Sequence, residues 1–589
     1  MSIGTGKGKS KGEGNRKGAE TAARAAAQLF DRRFGRIGSK LARKRRRTQM
    51  TTAYSYPLLI GQILHTPLSV AADQQIIHAD THQMTYRQFA DRVGRLGSAL
   101  HALGLGHGSV VAMMDYDSHR YLECFFAVPM LGATLHTVNV RLSPEQILYT
   151  INHAEDDAIL LHRDFLPLLL PLLPRITRPV KLVLLSDSGA GELPPGFAGE
   201  YEALLAAAAA GFQFAEFDEN TRATLFYTTG TTGDPKGVSY SHRHLVLHTL
   251  ALAAGMGGIP NNGGVHRADV YMPLTPLFHV HGWGIPYVAT MLGIRQVYPG
   301  RYEPAKLLAL IARHRVTFSH CVPTILAMLL AAPESAATDL SHWKVVIGGA
   351  ALPEGLARAA MARGIDIHAG YGMSETCPVL TLGDMVASQG AGDTTRIRTA
   401  TGKPIPLVQM RLMDPDMVDV PRDGKTTGEV VVRAPWLTQA YLKDPQGSET
   451  LWRGGWLHTG DVGHLSADGT LRITDRLKDV IKSGGEWVSS LELENVVSTV
   501  AGVQEVAVVG VPDQIWGERP VVVLVTDAAA SAAVIEAAGA AIAAAIAKGV
   551  LSTWAAPGRF MQITALPKTS VGKIDKKAIR ASLAAGTLT

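Results

Sequence analysis

The segment best suited to chemistry is Tyr227-Thr228-Thr229-Gly230-Thr231-Thr232-Gly233-Asp234-Pro235-Lys236-Gly237. Its glycines let the backbone turn several amides toward one ligand, four threonine hydroxyls add donors, and Lys236 adds a positive charge. Together these suit a polyphosphate. Lys236 is followed by Gly237 instead of Ser or Thr, and the glycine spacing is not that of a Walker loop, so this is not a P-loop. Read alone, the segment also fits a glycine-rich surface turn.

Five more segments follow in order: Gly348-Gly349-Ala350, Gly370-Tyr371-Gly372-Met373-Ser374-Glu375-Thr376, Thr459-Gly460-Asp461, Asp475-Arg476-Leu477-Lys478-Asp479 and Pro567-Lys568-Thr569-Ser570-Val571-Gly572-Lys573. With the threonine-glycine loop they resemble the motifs of the adenylate-forming (AMP-binding) superfamily, which contains acyl-CoA synthetases, peptide-synthetase adenylation domains and firefly luciferase. The resemblance runs from Thr51 to the C-terminus. It implies an enzyme that joins a carboxylate to the α-phosphate of ATP with loss of pyrophosphate, then passes the acyl group to CoA.

The resemblance implies roles residue by residue. Thr228, Thr229, Gly230, Thr231, Thr232, Gly233 and Lys236 would cradle the phosphates. Glu375 is similar to the family's magnesium ligand, with the Thr228 hydroxyl in support; a hard cation would bridge phosphates and neutralise the leaving group. Tyr371, between Gly370 and Gly372 and followed by Met373 and Ser374, would lie against the adenine, and Gly348, Gly349 and Ala350 would let the backbone approach the nucleotide. Asp461 would accept hydrogen bonds from the ribose hydroxyls, with Arg476 assisting. Lys573 matches the mobile catalytic lysine, which enters the site only in the adenylating pose. Rotation about Lys478 would withdraw it, present Lys482 and Trp487, and open a channel for CoA. Without the resemblance, Glu375 reads as a surface charge, Tyr371 as core packing, and Lys573 as part of a flexible basic tail with Lys568, Lys576 and Lys577.

For the acid, the run Phe278-His279-Val280-His281-Gly282-Trp283-Gly284 matters. Peptide-synthetase domains place an Asp after the Phe to hold the substrate's amino group. No carboxylate stands there, and an unpaired buried ammonium is costly, so an amino-acid substrate is disfavoured. Pro276 to Pro286 and Gly484 to Leu493 resemble bacterial medium- and long-chain fatty acyl-CoA synthetases. That resemblance implies His279 beside the carboxylate, as a catalytic and substrate residue, and Trp283 gating an apolar tunnel. His281 reads as a structural histidine. Two other readings stay open: a CoA ligase for another small acid, aryl or sulfur-containing, and a non-catalytic, membrane-tethered homologue. The intact magnesium and lysine motifs argue against the latter.

Such groups must be held by rigid elements. Length alone implies at least two domains in 589 residues. Short β-rich runs at Val110 to Met114, Lys181 to Leu185, Ala223 to Tyr227, Val316 to Cys321 and Lys344 to Gly348 alternate with helical patterns such as His119 to Leu131, which predicts α/β layering with parallel sheets. After Gly402 the texture becomes β-rich, and a small α+β unit follows, with a helix opened by Ser489 and Glu492, strands at Val506 to Val511 and Val521 to Thr526, and a helix within Ala528 to Ile546. The expected domains are a basic, disordered extension over 1–50, an AMP-binding domain over 51–477 and a mobile C-terminal domain over 478–589.

The first fifty residues hold 15 Lys or Arg against 3 Asp or Glu, so of the net charge of +6 the remainder contributes a negative share. A basic tail suggests contact with anionic lipid or nucleic acid, but Met50 stands where an ordinary chain would start, so the tail reads as a disordered extension or an artefact of start-codon assignment. The folded body is not expected to bind nucleic acid. Three cysteines build no disulfide framework and no apolar run reaches spanning length, which predicts a cytoplasmic enzyme without a transmembrane helix. Peripheral membrane contact through the tail and a homodimer stay open.

Overall fold

The structure is a computed structural model that describes residues 56–588 apart from 190, 229–233, 259–263, 385–391 and 528–530. The basic tail and Thr229 to Gly233 of the threonine-glycine loop lie outside the described residues. Leu58–Thr589 forms one compact unit.

Two sheets make the body. The first runs in the order Phe197–Glu200, Lys181–Leu185, Ala158–His162, Val110–Met114, Thr134–Thr137, Arg222–Thr228 and Lys236–Ser241, parallel except for the last pair. The second has nine strands, with the parallel core Asp366–Gly372, Lys344–Ile347, Phe318–Cys321, Val270–Leu274, Arg295–Tyr298 and Gln75–His78. Val110–Met114 and Ala158–His162 are buried at every position, as expected for strands covered by helices on both faces. Thr85 with Gln88 caps Tyr86–Ala102, and Ser118 caps His119–Met130, each hydroxyl accepting an amide that the first turn leaves free.

The β-rich stretch after Gly402 forms a four-stranded antiparallel sheet of Gln409–Met413, Gly428–Arg433, Leu457–Leu465 and Leu471–Arg476. The C-terminal part is α+β, with a sheet built on the hairpin Val503–Asp513 and Gly517–Thr526 and covered by Ser490–Ser498 and Ser531–Ala547. The first of these helices is capped by Ser489 as expected and ends at Ser498, where its last amides turn to the shorter bonds Thr499 to Val496 and Val500 to Val497. Among the described residues no helix is long and apolar enough to cross a membrane.

One large apolar core joins the sheets. Phe126 sits in it fully buried, edge-on to Phe89 and Tyr287 with ring centroids 5.6 Å away in both cases. Phe126→Ala is expected to cost about 3–5 kcal/mol, read as a lower urea midpoint with the far-UV spectrum of the native state unchanged.

Candidate active site

Several of the sequence-predicted residues gather where the parallel strands of both sheets end. Thr228 closes Arg222–Thr228 and faces Lys236 across the antiparallel pair. Gly348, Gly349 and Ala350 follow Lys344–Ile347, and Gly370, Tyr371 and Gly372 close Asp366–Gly372. His279 follows Val270–Leu274. Crevices at the carboxyl ends of such strands are where α/β folds bind ligands, because backbone amides and loop side chains converge there while the sheet stays rigid.

Asp461 is buried on Leu457–Leu465, directly across the ladder from Arg476. Its carboxylate accepts the Tyr371 hydroxyl at 2.8 Å and pairs with Arg476 Nε at 3.1 Å. Asp461 raises the affinity of the guanidinium for its proton, and burial pushes the Tyr371 hydroxyl up. Glu375, in the short turn Ser374–Thr376, is also buried and accepts the Tyr441 hydroxyl at 2.7 Å. Burial raises its carboxyl above the usual range, against the lowering effect of that hydrogen bond. Met373 precedes this turn, and the Ser374 carbonyl accepts the Tyr240 hydroxyl at 2.5 Å. Lys236 pairs with Asp444 at 3.2 Å and lies 4.5 Å from the centre of the Tyr441 ring.

Lys573 comes from the C-terminal part and reaches this group. A Cβ on Gly349, whose φ is +75°, would lie 3.1 Å from Lys573 Cε and 3.6 Å from Nζ, so this glycine makes the room that the lysine occupies. Burial and then the charge of Arg476 lower the ammonium's pKa to about 8, while Asp461 and Glu375 oppose the shift. The ammonium makes no hydrogen bond or ion pair with another described residue. Half-buried His279 lies near enough that burial and then the Lys573 charge hold its imidazole at about 3, hence neutral.

Val280 to Gly284 form a left-handed turn, with φ of 48°, 55°, 56°, 60° and 72°. A β-branched residue such as Val280 rarely adopts that region. The turn carries Trp283 inward: its ring lies 5.0 Å from His320, and a Cβ on Gly348 would come within 3.0 Å of it. His281 is fully buried among Phe125, Phe226, Tyr240 and Tyr287, and neither ring nitrogen has a hydrogen-bond partner among the described residues.

Not every predicted residue is brought in. Lys482 and Trp487 face each other across the hairpin Ile481–Ser483 and Glu486–Val488, exposed on the C-terminal sheet and without a hydrogen bond to the site. Lys478 sits in an exposed turn in which Asp479 and Val480 donate to the Arg476 carbonyl, next to the Asp479–Arg580 pair at 2.7 Å. Sequence reasoning missed Tyr441 and Asp444, the partners of Glu375 and Lys236. Asp444 carried a signal, as it caps Pro445–Leu451 by accepting the Gly447 amide; Tyr441 carried none.

The model of the AMP-binding enzyme family matches residues 66–442, and that of the AMP-binding enzyme C-terminal domain matches 492–573. The chain belongs to the AMP-binding enzyme family. It is 38% identical over 510 residues to a long-chain-fatty-acid–CoA ligase of Thermus thermophilus, covering 85% of this chain and 90% of that protein. It is 37% identical over 536 residues to a 3-methylmercaptopropionyl-CoA ligase of Ruegeria pomeroyi, covering 89% and 97%. The crystal structure of the anthranilate CoA ligase AuaEII in complex with anthranoyl-AMP superposes with a TM-score of 0.80 at 26% identity, covering 90% of this chain and 99% of that one.

Competitive labelling of partly buried Lys573 with acetic anhydride should titrate it with a midpoint near 8 instead of the ordinary 10.5. A midpoint at the ordinary value would place the ammonium in solvent.

Proposed function

We propose that this AMP-binding enzyme activates medium- or long-chain fatty acids, forming acyl-adenylate and pyrophosphate from ATP and then acyl-CoA and AMP. The chain is an AMP-forming acid–thiol ligase, and ATP and CoA are its cosubstrates. One observation carries the assignment of its site: the Lys573 ammonium stands beside Gly349 among Asp461, Arg476 and Glu375, where a carboxylate and an α-phosphate would each bring negative charge. Asp461 would hold the ribose and Tyr371 the adenine. Neutral His279 would sit beside the substrate carboxylate without adding a second cation.

Glu375 and the Thr228 hydroxyl offer hard oxygen donors that fit Mg2+, and a carboxylate whose ionisation burial disfavours gains from a cation beside it. When bound there, the metal would neutralise phosphate charge. The described residues hold no cluster of three or more His, Cys, Asp or Glu suited to a metal, so the remaining ligands would come from phosphate and water. Lys478 would be the hinge between residues 51–477 and 478–589, and Lys482 and Trp487, exposed here, would enter in the second pose with CoA. The three buried thiols fit a cytoplasmic setting.

The aromatic rings of Phe125, Phe226 and Tyr287 around His281, with no carboxylate in the run Phe278 to Gly284, support an apolar acyl group. The name of the Thermus relative points the same way. A second reading, a small sulfur-containing or aryl acid, is favoured by the two unpartnered nitrogens of His281, which a polar atom of such an acid would satisfy. ATP–pyrophosphate exchange across saturated acids of rising length, 3-methylmercaptopropionate and benzoate decides between them. Rates that rise with chain length support the fatty acid; a maximum on a short or aryl acid rejects it.

Lys573→Ala should slow adenylation on the order of a hundredfold or more yet leave thioester formation from supplied acyl-adenylate nearly intact. The wild-type adenylation rate should also fall as pH rises through about 8, where the ammonium loses its proton. Equal loss of both half-reactions in the variant would contradict a lysine that serves one step. Trp283→Ala should change how kcat/KM depends on acyl length, each added buried methylene being worth about 0.8 kcal/mol where the tunnel admits it; parallel profiles would make Trp283 a packing residue.

A further inference from the structure

Apart from the nucleotide-facing groups, the structure pins the turn that carries Lys573 at two positions, Gly572 and Ser570, one against each large sheet, with Arg141 Nη1 adding a bond of 3.5 Å to the Ser570 carbonyl. Thr324 opens the helix Pro323–Ala331 at the carboxyl end of Phe318–Cys321, and its hydroxyl donates to the Gly572 carbonyl at 2.7 Å. Asn139 lies just past Thr134–Thr137, and its Nδ2 donates to Ser570 Oγ at 3.0 Å. The other end of that side chain is occupied, since its Oδ1 accepts the Arg141 amide at 3.0 Å, which fixes the edge that faces Ser570. Between the two pinned positions Val571 packs against the large N-terminal core.

The turn itself is stiff. Gly572 N donates to the Thr569 carbonyl at 2.9 Å, Thr569 N to the Lys573 carbonyl at 2.7 Å, and Lys573 N to Thr569 Oγ1 at 3.2 Å. Fixing residues 570 and 572 therefore fixes the origin of the Lys573 side chain. Without such ties the lysine would favour solvent, because desolvating an ammonium that has no ion-pair partner is unfavourable. The contacts at Ser570 and Gly572 offset that cost from outside the reacting group, and they exist only while the C-terminal part is docked in this orientation.

We propose that Asn139 and Thr324 are positioning residues, a two-point latch that sets how much of the time Lys573 occupies the site and thereby the rate of adenylation relative to thioester formation. The inference rests on the acyl-adenylate reading above. A latch too weak would starve the first half-reaction; one too strong would delay the rotation that the second needs.

The test compares wild type with Thr324→Val, Asn139→Leu, the double variant and Thr324→Ser in two assays: ATP–pyrophosphate exchange with dodecanoate, and conversion of supplied dodecanoyl-adenylate and CoA to the thioester. Each lost hydrogen bond should lower adenylation by roughly threefold to tenfold, with the double variant losing about the product. Thioester formation should stay level or rise, which also shows that the variants are folded. Thr324→Ser, which keeps the hydroxyl, should restore the wild-type ratio of the two rates. Equal falls in both half-reactions, or a double variant with unchanged adenylation, would overturn the latch alone. A wild type inert with dodecanoate in the exchange assay and with dodecanoyl-adenylate in the other would overturn the acyl-adenylate reading together with it.

Discussion

The arrangement depends on placing one ammonium, supplied by a separate part of the chain, into a site shielded from water. Burial alone disfavours the charge, and Arg476 disfavours it further; only Asp461 and Glu375 draw it in. The resulting pKa of about 8 marks a lysine that is charged at neutral pH by a narrow margin.

The surrounding carboxylates are prepared differently. Asp461 is held from two sides, by Arg476 on the neighbouring strand, whose register fixes the spacing, and by Tyr371 at the end of a strand of the nine-stranded sheet. Glu375 has only the Tyr441 hydroxyl, and its carboxyl is raised by burial. The first is a positioned acceptor; the second is a carboxylate that gains from a cation. The left-handed turn from Val280 to Gly284 adds a third kind of constraint, since backbone strain there is balanced by burying Val280, His281 and Trp283.

Much of this was legible before any coordinates. The strands at Val110 to Met114 and Lys181 to Leu185 fall where the apolar runs place them, because strands of a parallel sheet covered on both faces are apolar throughout. The Ser489 cap was likewise visible, as it follows from a local rule of backbone geometry, whereas Tyr371 was picked out by the resemblance of its motif. Tyr441, Asn139 and Thr324 were not. An isolated tyrosine, asparagine or threonine in a loop carries no local pattern, and each earns its place only through a partner 66, 431 or 248 residues away.

By itself the sequence offered the chemistry available: a threonine-glycine loop read from residue type and spacing, and Glu375, Asp461, Arg476 and Lys573 read from the resemblance of their motifs to the adenylate-forming superfamily. These depend on residue type and short spacing, and short spacing is local. Tertiary structure alone decided which of them meet. The packing of the C-terminal part against the ends of two sheets brings Lys573 to Gly349 and leaves Lys482 and Trp487 outside, and the left-handed turn from Val280 turns Trp283 against Gly348. The reason is that electrostatic shifts and steric fit depend on distance in space, which chain separation does not encode.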